Sequence, residues 1–299
     1  MSDLLLVGLA GFAASLVDGA LGMGFGPTSS SILLSSGISP AAASTTVNLA
    51  KVVTGAVSGA SHWHFGNVDR RLVLRLALPG AAGALVGTTV LVNVDGDDLR
   101  PVLAVILLAV GLRILLRFSR ALPMQPDVEE GDAPPHSGVD VRGVEVAAGA
   151  GGVTNGLVGA WGPVVTPFLL HRGLPPRFAV GSVNTAEVAV AVVASGSLIA
   201  SLGGNGLEVG VLLAMLAGGA LAAPLAAYTV RLVPPRILGL AVAGLLLATQ
   251  VRELSGTFDI GAARWGLYAL VAVALGAAFA RPRVRRRLRL RAARLAAAA

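Results

Sequence analysis

The sequence has no cysteine among its 299 residues, and only 13% of those residues are charged. The lack of cysteine excludes a disulfide framework, a thiol nucleophile, a zinc–thiolate site and an iron–sulfur cluster held by thiolates. The scarcity of charge accompanies an apolar content of 55% and a mean hydropathy of +0.78. A soluble globule of this size has too little interior to bury so much apolar side chain. We therefore predict an all-α, polytopic integral membrane protein whose solvent is the lipid bilayer.

The basic residues are unevenly distributed along the chain. The net charge is +7 and the isoelectric point is about 11.2, values that nucleic-acid-binding proteins also show. However, eight of the 23 basic residues lie in the last 19 positions, directly after an apolar segment. Such a run is typical of a cytoplasmic tail beside anionic headgroups. We therefore expect contact with lipid and no binding of nucleic acid.

Two of the apolar stretches, 4–35 and 143–170, are too long for one crossing of the membrane. A straight helix over 4–35 would measure roughly 48 Å, whereas the hydrocarbon core is about 30 Å thick. Both stretches contain glycines and a Gly-Pro pair near their middle, at 26–27 and 162–163. Each is either a tilted single helix or a unit that turns back and leaves on the side where it entered.

The arginines favour the second alternative. If both long units turn back, 19 of the 23 basic residues lie on the cytoplasmic side, and only Arg100, Arg252 and Arg264 lie outside. If 143–170 crossed once, every later loop would be inverted and the basic tail would be external, against the positive-inside rule. We predict a multi-pass protein of the cytoplasmic (inner) membrane with a cytoplasmic C-terminal tail. The predicted units are a first transmembrane repeat 1–118, a cytoplasmic linker 119–142, a second repeat 143–251, an additional transmembrane helix 252–280 and the basic tail 281–299.

The two halves of the chain resemble each other. When the second half is shifted by 136 positions, Gly26-Pro27 falls on Gly162-Pro163, Pro40 on Pro176 and Asn48 on Asn184. In the predicted topology the corresponding loops at 37–40 and 171–177 lie on opposite sides, so the repeats are inverted. Inverted repeats with interrupted helices are the usual construction of secondary transporters, whose site lies near the midplane. A channel or a membrane enzyme is the alternative.

Several motifs give the chain a resemblance to a known family. They are DGALGMGFGP (18–27), GISPAAASTTVN (37–48), HWHFGNVD (62–69), GAAGALVG (80–87), GAWGP (159–163) and GLPPRFAVGSVN (173–184). In their order and duplication they resemble the TauE/SafE family, also called the sulfite exporter or four-toluene-sulfonate uptake family. The resemblance covers nearly the whole chain. It implies an ion-gradient-driven transporter of sulfur-containing anions, with about eight membrane spans and either direction of transport.

Three ionisable residues, Asp18, Lys51 and Glu187, lie within apolar segments and are expected to face the protein interior. Lys51 and Glu187 occupy equivalent positions of the repeat, so pseudo-symmetry would bring them together. In one interpretation Lys51 attracts an anionic substrate while Glu187, or Asp18, accepts a coupling proton. In the other, Lys51 and Glu187 form a permanent ion pair that joins the two halves.

The glycines at the two interruptions are candidates for anion binding. Glycine lets a ligand approach the backbone, and a helix that restarts after a break directs free N–H groups at an anion. The alternative is that these glycines only allow close helix packing. The predicted substrate-binding residues are Gly22, Gly24, Gly26, Asn48, Lys51, Gly159, Trp161, Gly162 and Asn184, with Trp161 either lining the cavity or simply packed.

We predict no metal site and no cofactor. His62 and His64 are two positions apart, which directs them to different faces of a helix, and no third ligand is close in sequence. The predicted function is secondary-active transport of a small sulfur-containing anion, such as sulfite or an organosulfonate. The alternatives are a permease for another small anion, a cation or metal permease that uses Asp18 and Glu187, and a membrane enzyme.

Overall fold

The computed structural model describes residues 2–21, 23–119, 142–203, 209–232 and 235–296. Within these ranges the chain forms eleven α-helices and one short 3-10 helix at Gly261–Ala263, with no β-strand, which confirms the all-α prediction. The helices are α1 (Ser2–Leu21), α2 (Phe25–Ser35), α3 (Pro40–His64), α4 (Arg70–Asn93), α5 (Gly96–Ser119), α6 (Val144–Val158), α7 (Gly162–His171), α8 (Pro176–Leu202), α9 (Val209–Leu232), α10 (Pro235–Thr257) and α11 (Arg264–Ala296).

Five segments of the described chain are long and apolar enough to cross a membrane: α4, α5, α8, most of α10, and 261–280, which includes the first half of α11. Shorter apolar segments lie in α1, at Leu4–Ser15, and in α9, at Val209–Ala222. The outer faces of these helices are apolar as well, with Leu78 on α4 and Val273 on α11 largely exposed. An apolar surface of this kind is stable in lipid, so the protein is a polytopic membrane protein.

Both long apolar stretches are interrupted at the positions that their glycines predicted. The first is divided into α1 and α2 and the second into α6 and α7, and the two short partners, α2 and α7, have 11 and 10 residues. A helix of that length spans only about 16 Å, roughly half of the hydrocarbon core. Gly24 and Gly159 adopt φ values of 146° and 67° at the breaks, which side chains other than glycine rarely tolerate.

Helix packing follows the repeat. The first half contributes α1–α5 and the second α6–α10, and α1 packs on α9 as α6 packs on α4. The equivalent helices α3 and α8 pack on each other, as do α5 and α10. A pseudo-two-fold relation between the halves produces this exchange of partners. α3 and α8 therefore lie together at the centre, next to both breaks.

Glycines allow the closest of these helix contacts. A Cβ atom at Gly218 of α9 would lie 1.9 Å from the carbonyl oxygen of Gly8 in α1. A Cβ atom at Gly83 of α4 would lie 2.1 Å from the carbonyl oxygen of Gly149 in α6. These distances leave no room for a side chain, so such glycines serve packing between the repeats.

The remaining predicted segments are only partly described. Of the linker 119–142, only Ser119 and Arg142 are among the described residues. α10 continues to Thr257, beyond the predicted end of the second repeat at 251. The backbone of α11 continues as a helix through most of the basic tail, as far as Ala296.

Candidate functional site

The two helix breaks touch each other. A Cβ atom at Gly26, in the first turn of α2, would lie 1.9 Å from the carbonyl oxygen of Gly159, in the second break. One turn further along α2, the Ser30 hydroxyl donates to the carbonyl oxygen of Val158 at 2.8 Å. The start of α2 therefore rests directly on the α6–α7 break. Gly22, another predicted site residue, lies outside the described residues.

Lys51 lies beside this contact and is the only lysine of the chain. It belongs to α3 and is 5% exposed. Its ammonium group forms an ion pair with Glu187, and it donates to the Asn155 Oδ1 and to the Gly159 carbonyl oxygen at 2.7 Å each. A lysine ammonium has three hydrogens. All three therefore have an acceptor in this structure.

The ion pair joins the two repeats at equivalent positions. Glu187 belongs to α8, the counterpart of α3, and its side chain is 17% exposed, against 6% for the side chain of Lys51. Removing one member of such a buried pair leaves the other charge without compensation, which typically destabilises a protein by about 3–5 kcal/mol. Loss of either charge alone would therefore destabilise the contact between α3 and α8.

A buried amide pair lies behind Lys51, on the side of the α3 N-terminus. The Asn155 side chain donates to Asn48 Oδ1 at 2.7 Å, and Asn48 donates back to the Asn155 carbonyl oxygen at 3.3 Å. Four residues earlier in α3, the Ser44 hydroxyl donates to the Gly156 carbonyl oxygen at 2.6 Å. Asn48, Asn155 and Ser44 are at most 1% exposed. These contacts close the site on that side.

Asn155 is a site residue that was not predicted from the sequence. A shift of 136 places Asn155 opposite Gly19, so the repeat alignment did not mark it. The helix ends give a different correspondence, because Asp18 and Asn155 each lie three residues before the last residue of α1 and α6. Counting back from the two breaks would have found it.

A pocket opens on the other side of Lys51, towards the C-terminal half of α3. It has a volume of about 470 Å³, including the open solvent at its mouth. Thr54 and Ser58 line it along α3, and Asn184 lines it from α8 and donates to the Ser58 hydroxyl at 3.3 Å. The break residues that line it are Gly24, Gly26, Gly159 and Gly162. The starts of α2 and α7 thus border the same cavity as Lys51.

Asp18 and Glu187 are the acidic residues of this pocket. Asp18 Oδ1 accepts a hydrogen bond of 3.2 Å from the backbone N–H of Phe25, the first residue of α2. Asp18 therefore bridges the first break. The pocket contains two carboxyl groups and one ammonium group, within the described part of the chain.

Two of the predicted site residues do not line the pocket. Trp161 is fully buried, its ring occupies the space beside Gly80, and its indole N–H donates to the Val183 carbonyl oxygen at 3.1 Å. Asn48 lies on the closed side, in contact with Asn155. Trp161 thus packs in the core, and Asn48 contacts the site through Asn155.

A second polar cluster lies where the N-terminal end of α5 meets the C-terminal end of α10. Arg100 is 3.4 Å from Glu253, and Gln250 donates to the Ser31 hydroxyl at 2.8 Å. A small pocket of about 250 Å³ is lined by these four residues, among others. The cluster ties α2, α5 and α10 together and is separate from the Lys51 pocket.

The two histidines of α3 lie at its C-terminal end. The His64 ring packs edge-to-face on Phe65, with 5.4 Å between ring centroids, and the Arg70 guanidinium lies 4.6 Å from the ring centre of Trp63. Among the described residues, no three His, Asp or Glu side chains are close enough together to hold a metal ion.

Two comparisons with known proteins found similar sequences. The family model described as sulfite exporter TauE/SafE matches residues 7–253. A curated protein of Bacillus subtilis (strain 168), described as the probable membrane transporter protein YtnM, is 39% identical over 278 residues, which is 93% of this chain and 90% of that protein. No solved structure matches the chain.

Proposed function

The chain belongs to the sulfite exporter TauE/SafE family of membrane transporters, and from this premise we propose that it is a secondary-active carrier of small sulfur-containing anions, such as sulfite or organosulfonates. It works by alternating access across the cytoplasmic membrane, is driven by an ion gradient and catalyses no chemical reaction. The observation that carries the proposal is the position of Lys51, the only lysine, at the base of a pocket where the two repeats meet.

The pocket offers an anion two kinds of attraction. Lys51 supplies a full positive charge from α3. The N-terminal residues of α2 and α7, Gly26 and Gly162, line the same cavity, and helix N-termini carry a partial positive charge and free N–H groups. Because these glycines have no side chain, an oxyanion can approach their backbone. Asn184 adds an amide from α8.

The asymmetry of the site supports alternating access. Asn48 and Asn184 are equivalent in the repeat, but Asn48 is locked to Asn155 on the closed side, whereas Asn184 lines the open pocket. In the topology derived from the arginines, the open side is cytoplasmic. Inverted repeats reach the opposite state when each half adopts the conformation of the other. In that state, Asn184 closes on Asp18 while Asn48 separates from Asn155.

The Lys51–Glu187 ion pair is the coupling element of the proposal. An anion that approaches Lys51 weakens the pair, and a proton taken up by Glu187 or Asp18 compensates the charge. The alternative for this pair is a permanent structural contact between α3 and α8. The two differ in whether the pair opens during transport.

A cation or metal permease is the second candidate function, because Asp18 and Glu187 bring two carboxyl groups into one pocket. Lys51 argues against it, since a buried ammonium repels a cation. Lys51→Ala separates the two: anion transport is lost with the lysine, whereas cation transport survives or improves.

The test is the uptake of radiolabelled sulfite by proteoliposomes under an imposed pH gradient. Wild type is compared with Lys51→Ala and with Arg100→Ala, a control that removes another partly buried cation paired with a glutamate. Uptake that requires the gradient and Lys51 but not Arg100 supports the proposal. Uptake that is unchanged in Lys51→Ala contradicts the assigned site.

A further inference from the structure

The charges of the pocket, when all are ionised, disfavour the binding of an anion. Lys51 contributes one positive charge, and Asp18 and Glu187 each contribute one carboxylate. With all three groups ionised, the pocket is negative by one unit. A second negative charge in a confined, poorly solvated space is repelled unless the balance changes on binding.

The hydrogen bonds of Lys51 show where that change occurs. Its three acceptors are Asn155 Oδ1, the Gly159 carbonyl oxygen and the Glu187 carboxylate. Asn155 is a buried residue of α6 that does not line the pocket, and the Gly159 acceptor is a backbone oxygen of the second break. Of the three acceptors, only the Glu187 carboxylate belongs to a side chain that lines the pocket. An anion therefore reaches the ammonium by taking the place of the Glu187 carboxylate.

The displaced carboxylate then lies among like charges. The bound anion replaces it at Lys51, and Asp18 lines the same pocket. Glu187 loses its only cationic partner among the described residues and gains an anionic neighbour. The negative carboxylate is then repelled by its neighbours, and a proton bound by Glu187 removes this repulsion. The open pocket connects Glu187 to the water that supplies the proton.

From this exchange, and on the basis of the proposed transport function, we infer that the site takes one singly charged oxyanion together with one proton. The anion replaces the Glu187 carboxylate on Lys51, and Glu187 binds a proton from the solvent. The site has the same net charge with and without its cargo. Transport is therefore electroneutral, and monovalent anions such as hydrogen sulfite and sulfonates are the substrate class.

A dianion does not fit this exchange. It would require a second proton, and the other carboxyl group, that of Asp18, keeps its hydrogen bond to the Phe25 N–H and is not displaced by the anion. The exchange at Glu187 alone therefore compensates one negative charge and not the two of sulfate, although the size and oxygens of sulfate resemble those of a sulfonate.

Other titratable groups on the helices around α8 lie outside the pocket. They are His62 and His64 on α3, Arg70, Arg71 and Arg75 on α4, Glu145 on α6 and His171 on α7, none of which lines it. Arg75 and Glu145 pair with each other. Within the described chain, the groups that face Glu187 are therefore Lys51 from α3 and Asp18 from α1.

The experiment measures steady-state accumulation of radiolabelled methanesulfonate, which remains singly charged, and of sulfite, in proteoliposomes of phosphatidylethanolamine and phosphatidylglycerol. A pH gradient and a potassium–valinomycin potential are imposed separately. One proton per anion predicts about tenfold accumulation per pH unit and no response to the potential. Accumulation that follows the potential, by about tenfold per 59 mV for one net charge, or that requires sodium, overturns the inference while leaving anion transport established. Accumulation of neither anion overturns the proposed function itself.

Glu187→Gln supplies a second test. Glutamine cannot exchange a proton, so this variant moves the anion alone, loses its response to the pH gradient and responds to the potential. The matched control is Glu253→Gln, which makes the same change at the glutamate that pairs with Arg100 outside this pocket. It retains the wild-type response. A Glu187→Gln variant that remains proton-coupled overturns the inference, and the wild-type measurement stands if this variant does not fold.

Discussion

Lys51 and Glu187, which are 136 residues apart and equivalent in the two repeats, form an ion pair where α3 packs on α8. Their surroundings are not equivalent. Both residues line the open pocket, but only Lys51 also donates to Asn155 and to the Gly159 carbonyl oxygen. This asymmetry makes the effect of charge substitutions predictable.

Exchanging the two charges, as Lys51→Glu combined with Glu187→Lys, restores an ion pair but not transport. A glutamate at position 51 faces the Asn155 amide oxygen and the Gly159 carbonyl, two acceptors that repel it. We expect sulfite uptake to remain below about a tenth of wild type, corresponding to at least 1.4 kcal/mol. Full recovery of uptake in the double variant would show that the pair acts only as a structural contact.

Asn155→Leu should weaken anion binding more than it affects the rate of transport. The substitution removes the acceptor for one Lys51 hydrogen and the donor to Asn48. Hydrogen bonds to charged groups contribute about 1.5–3 kcal/mol, so the KM for sulfite should rise by roughly 10- to 100-fold. The control is Asn93→Ala, whose amide bonds only to its own helix at the Thr89 carbonyl. An unchanged KM in Asn155→Leu would remove Asn155 from the site.

Gly26→Ala should abolish folding or transport. The added methyl group would lie 1.9 Å from the Gly159 carbonyl oxygen, a backbone atom that moves only with the whole second break. Gly196→Ala in α8 is the matched control, because a Cβ atom there meets nothing within 4 Å. Replacing a helical glycine by alanine at such a site is stabilising by about 0.5–1 kcal/mol. Thermal unfolding in detergent and uptake in proteoliposomes measure both effects, and a fully active Gly26→Ala would contradict the contact between the breaks.

Single cysteines at exposed Ser36 and His171 test the inverted topology, since the chain has no cysteine of its own. They lie one and two residues before the equivalent glycines Gly37 and Gly173, whose φ values of 88° and 86° make those two positions unsuitable for substitution. A membrane-impermeant maleimide should label Ser36→Cys from outside and His171→Cys only after the membrane is opened. Labelling of both from the same side would refute the inversion.

The features that the sequence predicted are those that depend on local pattern or on the repeat. Apolar length predicted the membrane helices, and the Gly-Pro pairs predicted the breaks before α2 and α7. The repeat also placed Lys51 and Glu187 at equivalent positions. Equivalent residues lie close together when they are near a pseudo-two-fold axis, and this pair was therefore predictable.

The features that the sequence did not predict depend on packing between distant segments. Trp161 fills the space beside Gly80, and nothing in the local sequence links these two residues. Asn155 was hidden because the best overall shift of 136 differs by one residue from the correspondence of the helix ends. Because α2 is one residue longer than α7, one constant shift cannot align the residues on both sides of the break.

Lys51 is the only lysine of the chain, so its ammonium group can be observed by itself. Protein labelled with ¹⁵N-lysine gives a single side-chain ammonium signal, which reports on this site alone. We expect methanesulfonate to shift this signal saturably, over the concentration range in which transport saturates, and sulfate to leave it unchanged. A signal that remains unchanged while transport is saturated would show that the anion binds elsewhere and that Lys51 serves only the structure.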